Sequence, residues 1–253
     1  MMSDWNSELY LKFNKERTQP AIDLANRVRT FHPRSIADLG CGPGNSTAVL
    51  KEVFPGADIL GIDSSEKMIK KARAEHPDIK FSLCDVHALE GGYDMLFSNA
   101  CLQWIPNHES LLPELMGKLN AGGALAVQVP MNHHEPLYKI IEEVSADPKW
   151  GLGNTCFETN AALEPDEYYD VLAGCSMNFQ TWETIYCHDL PSHQALVDWV
   201  KGTRLRPYLD ALTPENAILF EKELVRRAAK TYKVHKNGRV LLHFKRFFFV
   251  AIK

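Results

Sequence analysis

Seven residues, Asp38-Leu39-Gly40-Cys41-Gly42-Pro43-Gly44, constrain the fold of this chain more than any other stretch. An apolar run (Ile36, Ala37, Leu39) precedes them, and a helical run (Ala48 to Phe54) follows, with Val49, Leu50, Val53 and Phe54 on one face. A strand, a glycine turn and a helix N-terminus in that order make the nucleotide-binding corner of a doubly wound sheet. The glycines read G-x-G-x-G rather than G-x-G-x-x-G, and an acid stands two residues before the first. A pyrophosphate needs bare amides and a positive helix end, and a carboxylate there repels it. A cofactor with a cationic end and no phosphate accepts that carboxylate. S-adenosylmethionine, with its α-ammonium and sulfonium, has that charge pattern.

The rest of the chain repeats the strand–helix alternation. Ala21, Leu24, Ala25 and Val28 mark a helix over residues 20–31 with Pro20 in its first turn. Strands are expected over Ala57–Asp63, Ile79–Asp85, Tyr93–Asn99 and Ala124–Val129. Helices fall between them, marked by Met68, Ile69 and Ala72 after Ser64 or Ser65, and by Leu111, Leu112, Leu115, Met116 and Leu119. Five such units predict a parallel sheet with helices on both faces. Beyond them, a helix over Pro165–Ala173 and a strand over Phe179–His188 lead into two further helices. These run over Ser192–Val200 and from Thr213-Pro214 towards Tyr232. After the Asn237-Gly238 turn, Val240–Ile252 reads as a final strand built around Phe244, Phe247, Phe248 and Phe249. The fold class is therefore α/β: a Rossmann-like, doubly wound, seven-stranded, mostly parallel sheet whose last strand is antiparallel. Residues 1–253 form a single domain in this reading, with a helical insertion over 190–235 capping the ligand cleft.

Composition narrows the partners. A net charge of −4 argues against a nucleic-acid binder that relies on a global positive field. Six scattered cysteines without a C-x-x-C pair suit a reduced, cytoplasmic protein. No signal peptide or membrane span is expected, and no obligate protein partner is evident. His133 and His134 lie beside Glu135, but H-x-x-x-H spacing is missing, so the pair reads as a solvated loop and no metal is expected. Arg226, Arg227, Lys230, Lys233 and Lys236 read as a solvated helix face, and Phe247 to Phe249 as core.

Ligands of open α/β sheets bind outside the carboxyl ends of the strands. Strand one ends near Asp38, strand two at Asp63, strand three at Asp85 and strand four at Asn99. Asp63 lies about 20 residues past the glycines, the spacing at which a carboxylate takes the two hydroxyls of a ribose. Asp85 can accept from an adenine amino group while the Val86 amide faces a ring nitrogen, and Met68 can pack on the adenine face. Each aspartate alone also suits a helix cap or turn. An acid or amide at all four strand ends favours a donor site comprising Asp38, Gly40, Gly42, Gly44, Asp63, Ser64, Met68, Asp85, Val86 and Asn99.

Several motifs together resemble the bacterial trans-aconitate 2-methyltransferases. They are Asp4-Trp5-Asn6, Tyr10-Leu11, Phe13, Glu16 to Pro20, Ala37 to Thr47, Gly61 to Ser65 and Asn99-Ala100-Cys101-Leu102-Gln103-Trp104. Later come Pro191 to Ala195, Asp198-Trp199-Val200 and Leu205-Arg206-Pro207. The glycine motif belongs to a vast superfamily; the opening and the 191–208 segment are far more specific. The resemblance implies methyl transfer from S-adenosylmethionine to one carboxylate of trans-aconitate, with S-adenosylhomocysteine as the second product and Gln103 added to the donor site. Two departures are the charged Lys201-Gly202-Thr203-Arg204 segment and Cys101, where a serine is familiar.

A carboxylate acceptor is already an anion at neutral pH and needs no general base. Such an enzyme works by alignment and water exclusion, with no catalytic triad, and holds the non-reacting carboxylates with arginines. Arg206, near Trp199 and Tyr208, is the first expected clamp and Arg204 the second. Arg17, with Trp5 and Tyr10, is expected to close the site from the N-terminal segment, and Gln128 and His133 to line the acceptor side. Alternatives are a methyltransferase for another small acid or metabolite, and a donor-binding sensor without catalysis. Asp38 and the glycine spacing disfavour a nicotinamide dehydrogenase.

Overall fold

A computed structural model describes residues 14–153 and 161–253, with side chains from residue 16. Seven strands form one sheet: β1 (Ser35–Leu39), β2 (Asp58–Asp63), β3 (Lys80–Leu83), β4 (Tyr93–Asn99), β5 (Leu119–Pro130), β6 (Asn178–Leu190) and β7 (Val240–Ile252). Their order is β3-β2-β1-β4-β5-β7-β6. β1 pairs in parallel with β2 and β4, β2 with β3, and β4 with β5, while β7 runs antiparallel to β5. Six parallel strands and one antiparallel strand thus match the expected class.

Described residues fall into two compact units: 17–130, 161–184 and 246–253 in one, 131–153 and 185–245 in the other. The first carries the sheet's parallel core. Ile36, Ala37 and Leu39 on β1, and Met95, Leu96 and Phe97 on β4, are fully buried, as strands covered on both faces must be. Its helices are α1 (Asn14–Arg27), α2 (Asn45–Val53), α3 (Glu66–Glu75), α4 (His108–Gly117) and, in chain order after α5 below, α6 (Pro165–Cys175). The Ser65 hydroxyl caps α3 by accepting from the Met68 amide. Phe247 and Phe249 on β7 pack on the Tyr168 ring, and Phe248 stacks on Trp182.

The second unit holds α5 (Pro136–Ser145), α7 (His193–Lys201), α8 (Arg206–Asp210) and α9 (Pro214–Thr231). Leu137, Ile140, Ile141 and Val144 of α5 share one apolar cluster with Leu196, Val200, Tyr208, Phe220 and Leu224. Ser192 and Thr213 cap α7 and α9 through their hydroxyls. The helices expected over 190–235 therefore share their core with α5. No helix among the described residues is long and apolar enough to cross a membrane.

Several boundaries differ from the sequence reading. α1 begins at Asn14, so Pro20 lies inside the helix, and a 3-10 turn over Arg29–Phe31 follows it. β3 is limited to Lys80–Leu83. β5 begins at Leu119 rather than Ala124, because Asn120-Ala121-Gly122-Gly123 form an irregularity within the strand: Tyr93 pairs with Leu119 but Met95 with Ala124. A side chain on Gly123 would meet backbone oxygens of Asn120 and Asp94 at 2.9 and 3.1 Å, so this close turn requires glycine. α5 and α8 had no counterpart in the sequence reading.

Candidate functional site

The glycine turn after β1 is built of three left-handed residues, with φ of +65° at Gly40, +55° at Gly42 and +95° at Gly44. A methyl group on Gly40 would lie 2.2 Å from Cys101 Sγ, and one on Gly44 would lie 2.6 Å from the His76 ring. One on Gly42 would meet nothing within 4 Å. The first and third glycines let neighbouring chain approach; the second borders open space.

Asp38 is fully buried beneath this turn. Ser46 Oγ and Thr47 Oγ1, in the first turn of α2, both donate to its Oδ2 at 2.7 Å. Oδ1 is buried with no partner among the described residues. Burial pushes the carboxyl up to about 7, the two hydroxyl bonds oppose that rise, and the nearby Asp63 charge adds to it. A cation beside Oδ1 would favour the ionised form.

Asp63, at the end of β2, accepts from the Gly42 amide through Oδ2 at 3.0 Å and from the Ser65 amide through Oδ1 at 2.8 Å. Burial raises its carboxyl, and the two amide bonds oppose the shift. Ser64 is exposed beside it, and Met68 is buried one turn into α3. Asp85 lies past β3, exposed, with its Oδ1 accepting from the His87 amide at 2.9 Å, while Val86 is buried. Cys101 is held as a neutral thiol, pushed up to about 12 by burial and by the Asp63, Asp38 and Asp85 charges.

At the carboxyl end of β4, Asn99 Oδ1 and Gln103 Oε1 are buried acceptors without a partner among the described residues, although Gln103 Nε2 donates to the Ala100 carbonyl at 2.8 Å. β5 pairs Gln128 with Asn99. Gln128 is fully buried, and its Oε1 accepts from Arg246 Nη1 at 2.9 Å. Sequence reasoning missed Arg246. Its signal was a cation set in an otherwise apolar final strand.

The remaining acceptor residues are dispersed. Arg17 is half-buried on α1, in the sheet-bearing unit. Trp5 and Tyr10 lie outside the described residues. In the helical unit, the His133 ring meets His134 edge-on at 4.2 Å. Trp199 is buried against the rings of His188 and Phe244, and Tyr208 is stacked near Phe220. Arg206 bonds to Asp210 one turn on at 3.3 Å, and its Nη1 is buried without a partner among the described residues. Arg204 pairs with Glu142 at 2.9 Å and lies over the Tyr138 ring.

Comparison with known proteins bears on the family and the fold. A family model described as a methyltransferase domain matches residues 34–184. The chain is similar to a trans-aconitate 2-methyltransferase of Methylobacterium radiotolerans, 43% identical over 258 residues, covering 100% of this chain and 99% of the relative. It is 42% identical over 256 residues to the protein of that name from Escherichia coli strain K12, covering 99% and 98%. Among solved structures, the YcgJ protein of Bacillus subtilis aligns at a TM-score of 0.60 and 12% identity, covering 91% of this chain and 97% of that one. The plantazolicin methyltransferase BpumL in complex with SAH aligns at 0.54 and 15%, covering 98% and 90%. At these identities the two structures bear on the fold alone.

Proposed function

Because this chain belongs to the trans-aconitate 2-methyltransferase family, we propose that it methylates one carboxylate of trans-aconitate, giving the monomethyl ester. S-adenosylmethionine is the donor: when bound, it supplies a methyl group already activated on a sulfonium and leaves as S-adenosylhomocysteine. One observation carries this reading. Oδ1 of Asp38 and Oδ1 of Asn99 are buried acceptors without partners among the described residues, at the ends of adjacent strands β1 and β4. Buried acceptors of this kind are costly unless a ligand donates to them, and a cationic, phosphate-free donor suits them.

Each residue then has a task. Asp38 and Asn99, with Gln103, face the cationic end of the donor, and Gly42 leaves room for it. Asp63 takes the ribose hydroxyls with the remaining lone pairs of its oxygens. Asp85 and the Val86 amide read the adenine edge; Met68 covers its face, with Gly40, Gly44 and Ser64 shaping the turns. Acceptor recognition within the sheet-bearing unit falls to Arg17 and Gln128.

An acceptor carboxylate is ionised at neutral pH, so an oxygen lone pair attacks the methyl carbon directly. The carbon–sulfur bond breaks in line with that attack, its electron pair neutralises the sulfonium, and no proton moves. Alignment and exclusion of water suffice. The enzyme acts on a small cytoplasmic metabolite.

The test is incubation with methyl-labelled S-adenosylmethionine and a panel of mono-, di- and tricarboxylic acids. A base-labile ester formed with trans-aconitate is expected. Transfer only to a non-acid, or to nothing, would overturn the reading.

A further inference from the structure

We propose that Glu114 and Lys118 are positioning residues for the methyl donor: through His87 they aim the carboxylate of Asp85 at the adenine amino group. The inference rests on the proposed reading of Asp85 for its ligand. The residues that do the aiming all lie in the sheet-bearing unit.

Residues 84–92 join β3 to β4 without helix or strand, so regular secondary structure does not set where Asp85 points. Asp85 instead closes a turn on itself. Its Oδ1 accepts from the His87 amide at 2.9 Å, and its carbonyl accepts from the Ala88 amide at 3.0 Å. Val86 and Leu89 in this turn are buried, while Asp85 and His87 are exposed. With Oδ1 committed to the turn, Oδ2 is the oxygen left for an adenine amino group.

His87 is gripped at three points. Its amide holds Asp85, its ring Nδ1 donates to Glu114 Oε2 at 2.8 Å, and its carbonyl accepts from Lys118 Nζ at 2.9 Å. A carboxylate only accepts, so Nδ1 carries the proton in this pair. The same Nζ donates to the Leu89 carbonyl at 2.7 Å and pairs with Glu114 Oε1 at 3.1 Å. An ammonium has three donors, and Lys118 has one partner for each. Its side chain is 13% exposed, unlike a solvated surface lysine.

Glu114 stands on α4 and Lys118 directly after it, and Leu111, Leu112, Leu115 and Met116 of that helix are buried. The turn is thereby referenced to the core. Burial raises the Glu114 carboxyl, but the bonds from His87 and Lys118 outweigh this and hold it below its ordinary value. Ion pairs exposed like that of His87 and Glu114 contribute little to stability. What this one fixes is the direction of the Asp85 carboxylate.

Calorimetry with S-adenosylhomocysteine and with S-inosylhomocysteine reads that direction without turnover. The inosine compound carries a carbonyl where adenine has its amino group, so it cannot donate to Asp85. Wild type should prefer S-adenosylhomocysteine by about 10- to 100-fold. Lys118→Met should cut the preference to about threefold or less, and Glu114→Ala should lower it at least about threefold. Affinity for the inosine compound should stay within about threefold in both. A merely structural role would weaken both ligands alike and leave their ratio unchanged. An unchanged ratio in either folded variant overturns the inference, and Glu114→Ala decides the matter if Lys118→Met does not fold. Asp85→Asn separates this from the underlying reading, because it should erase the preference with Glu114 and Lys118 intact. A wild type that does not distinguish the ligands, or an Asp85→Asn variant that still does, would remove Asp85 from the adenine and the inference with it.

Discussion

The Gly42 amide donates to Asp63 Oδ2 at 3.0 Å, tying the glycine turn after β1 to the end of β2. The same carboxylate caps the turn before α3 through the Ser65 amide. A residue proposed for the ribose thus also fixes the glycine turn. Asp63→Ala should lower donor affinity by at least about 100-fold and stability by about 2–4 kcal/mol, from two lost amide–carboxylate bonds. Asp63→Asn keeps an acceptor and should lose less of both. Calorimetry and thermal melts of the two variants check this.

Gly40 and Gly42 should respond oppositely to the same substitution. Gly40→Ala drives a methyl group into Cys101, and its left-handed backbone adds strain, so it should impair folding. Gly42→Ala meets open space and should cost only about 1–2 kcal/mol of backbone strain. Its methyl group would occupy donor space, so donor binding should fall steeply in a protein that still melts cooperatively.

Asp38 links the unliganded fold to pH. Its native value near 7 lies above the unfolded value of about 3.9, so between these pH values the native state keeps a proton that the unfolded state has lost. Stability from this group is therefore present at about pH 4 and is lost as pH rises through 7. Asp38→Asn removes the buried charge and should stabilise the unliganded protein at pH 8 by roughly 1–3 kcal/mol. The difference from wild type should shrink towards pH 5. Denaturant melts across that range measure it.

In the helical unit, the Tyr232 hydroxyl donates to Glu135 and accepts from the Leu137 amide at 2.8 Å. Tyr232→Phe leaves both groups of the α5 N-terminus without this partner and should cost about 1–3 kcal/mol, seen as a lower melting temperature. Donor affinity should not change.

The parallel core was legible because buried strands announce themselves as apolar runs, and because the glycine turn has one architectural use. Tyr93–Asn99 and Val240–Ile252 were located to the residue. α5 had no counterpart in the sequence reading although Leu137, Ile140, Ile141 and Val144 have helical spacing. The start of β5 was missed because glycines that usually end a helix here accommodate a register shift. Charge positions at strand tips were readable; hydrogen-bond partners were not. Nothing in sequence order joins Asp63 to Gly42, or Arg246 to Gln128 across 118 residues. Arg246 was hidden for a further reason: it stands in a strand of phenylalanines whose apolar run reads as core throughout.

Proton release on donor binding tests the account most directly. At pH 6.5, below the titration of the donor's own α-ammonium, most Asp38 should be protonated in the free protein and ionised beside the bound cation. Calorimetric titration of S-adenosylmethionine in buffers of different ionisation enthalpy should then show release of about half to one proton, and affinity should rise between pH 6 and 7. Asp38→Asn should release none and bind weakly. PH-independent binding without proton release, or a variant that binds as tightly as wild type, would contradict a cationic methyl donor held by Asp38.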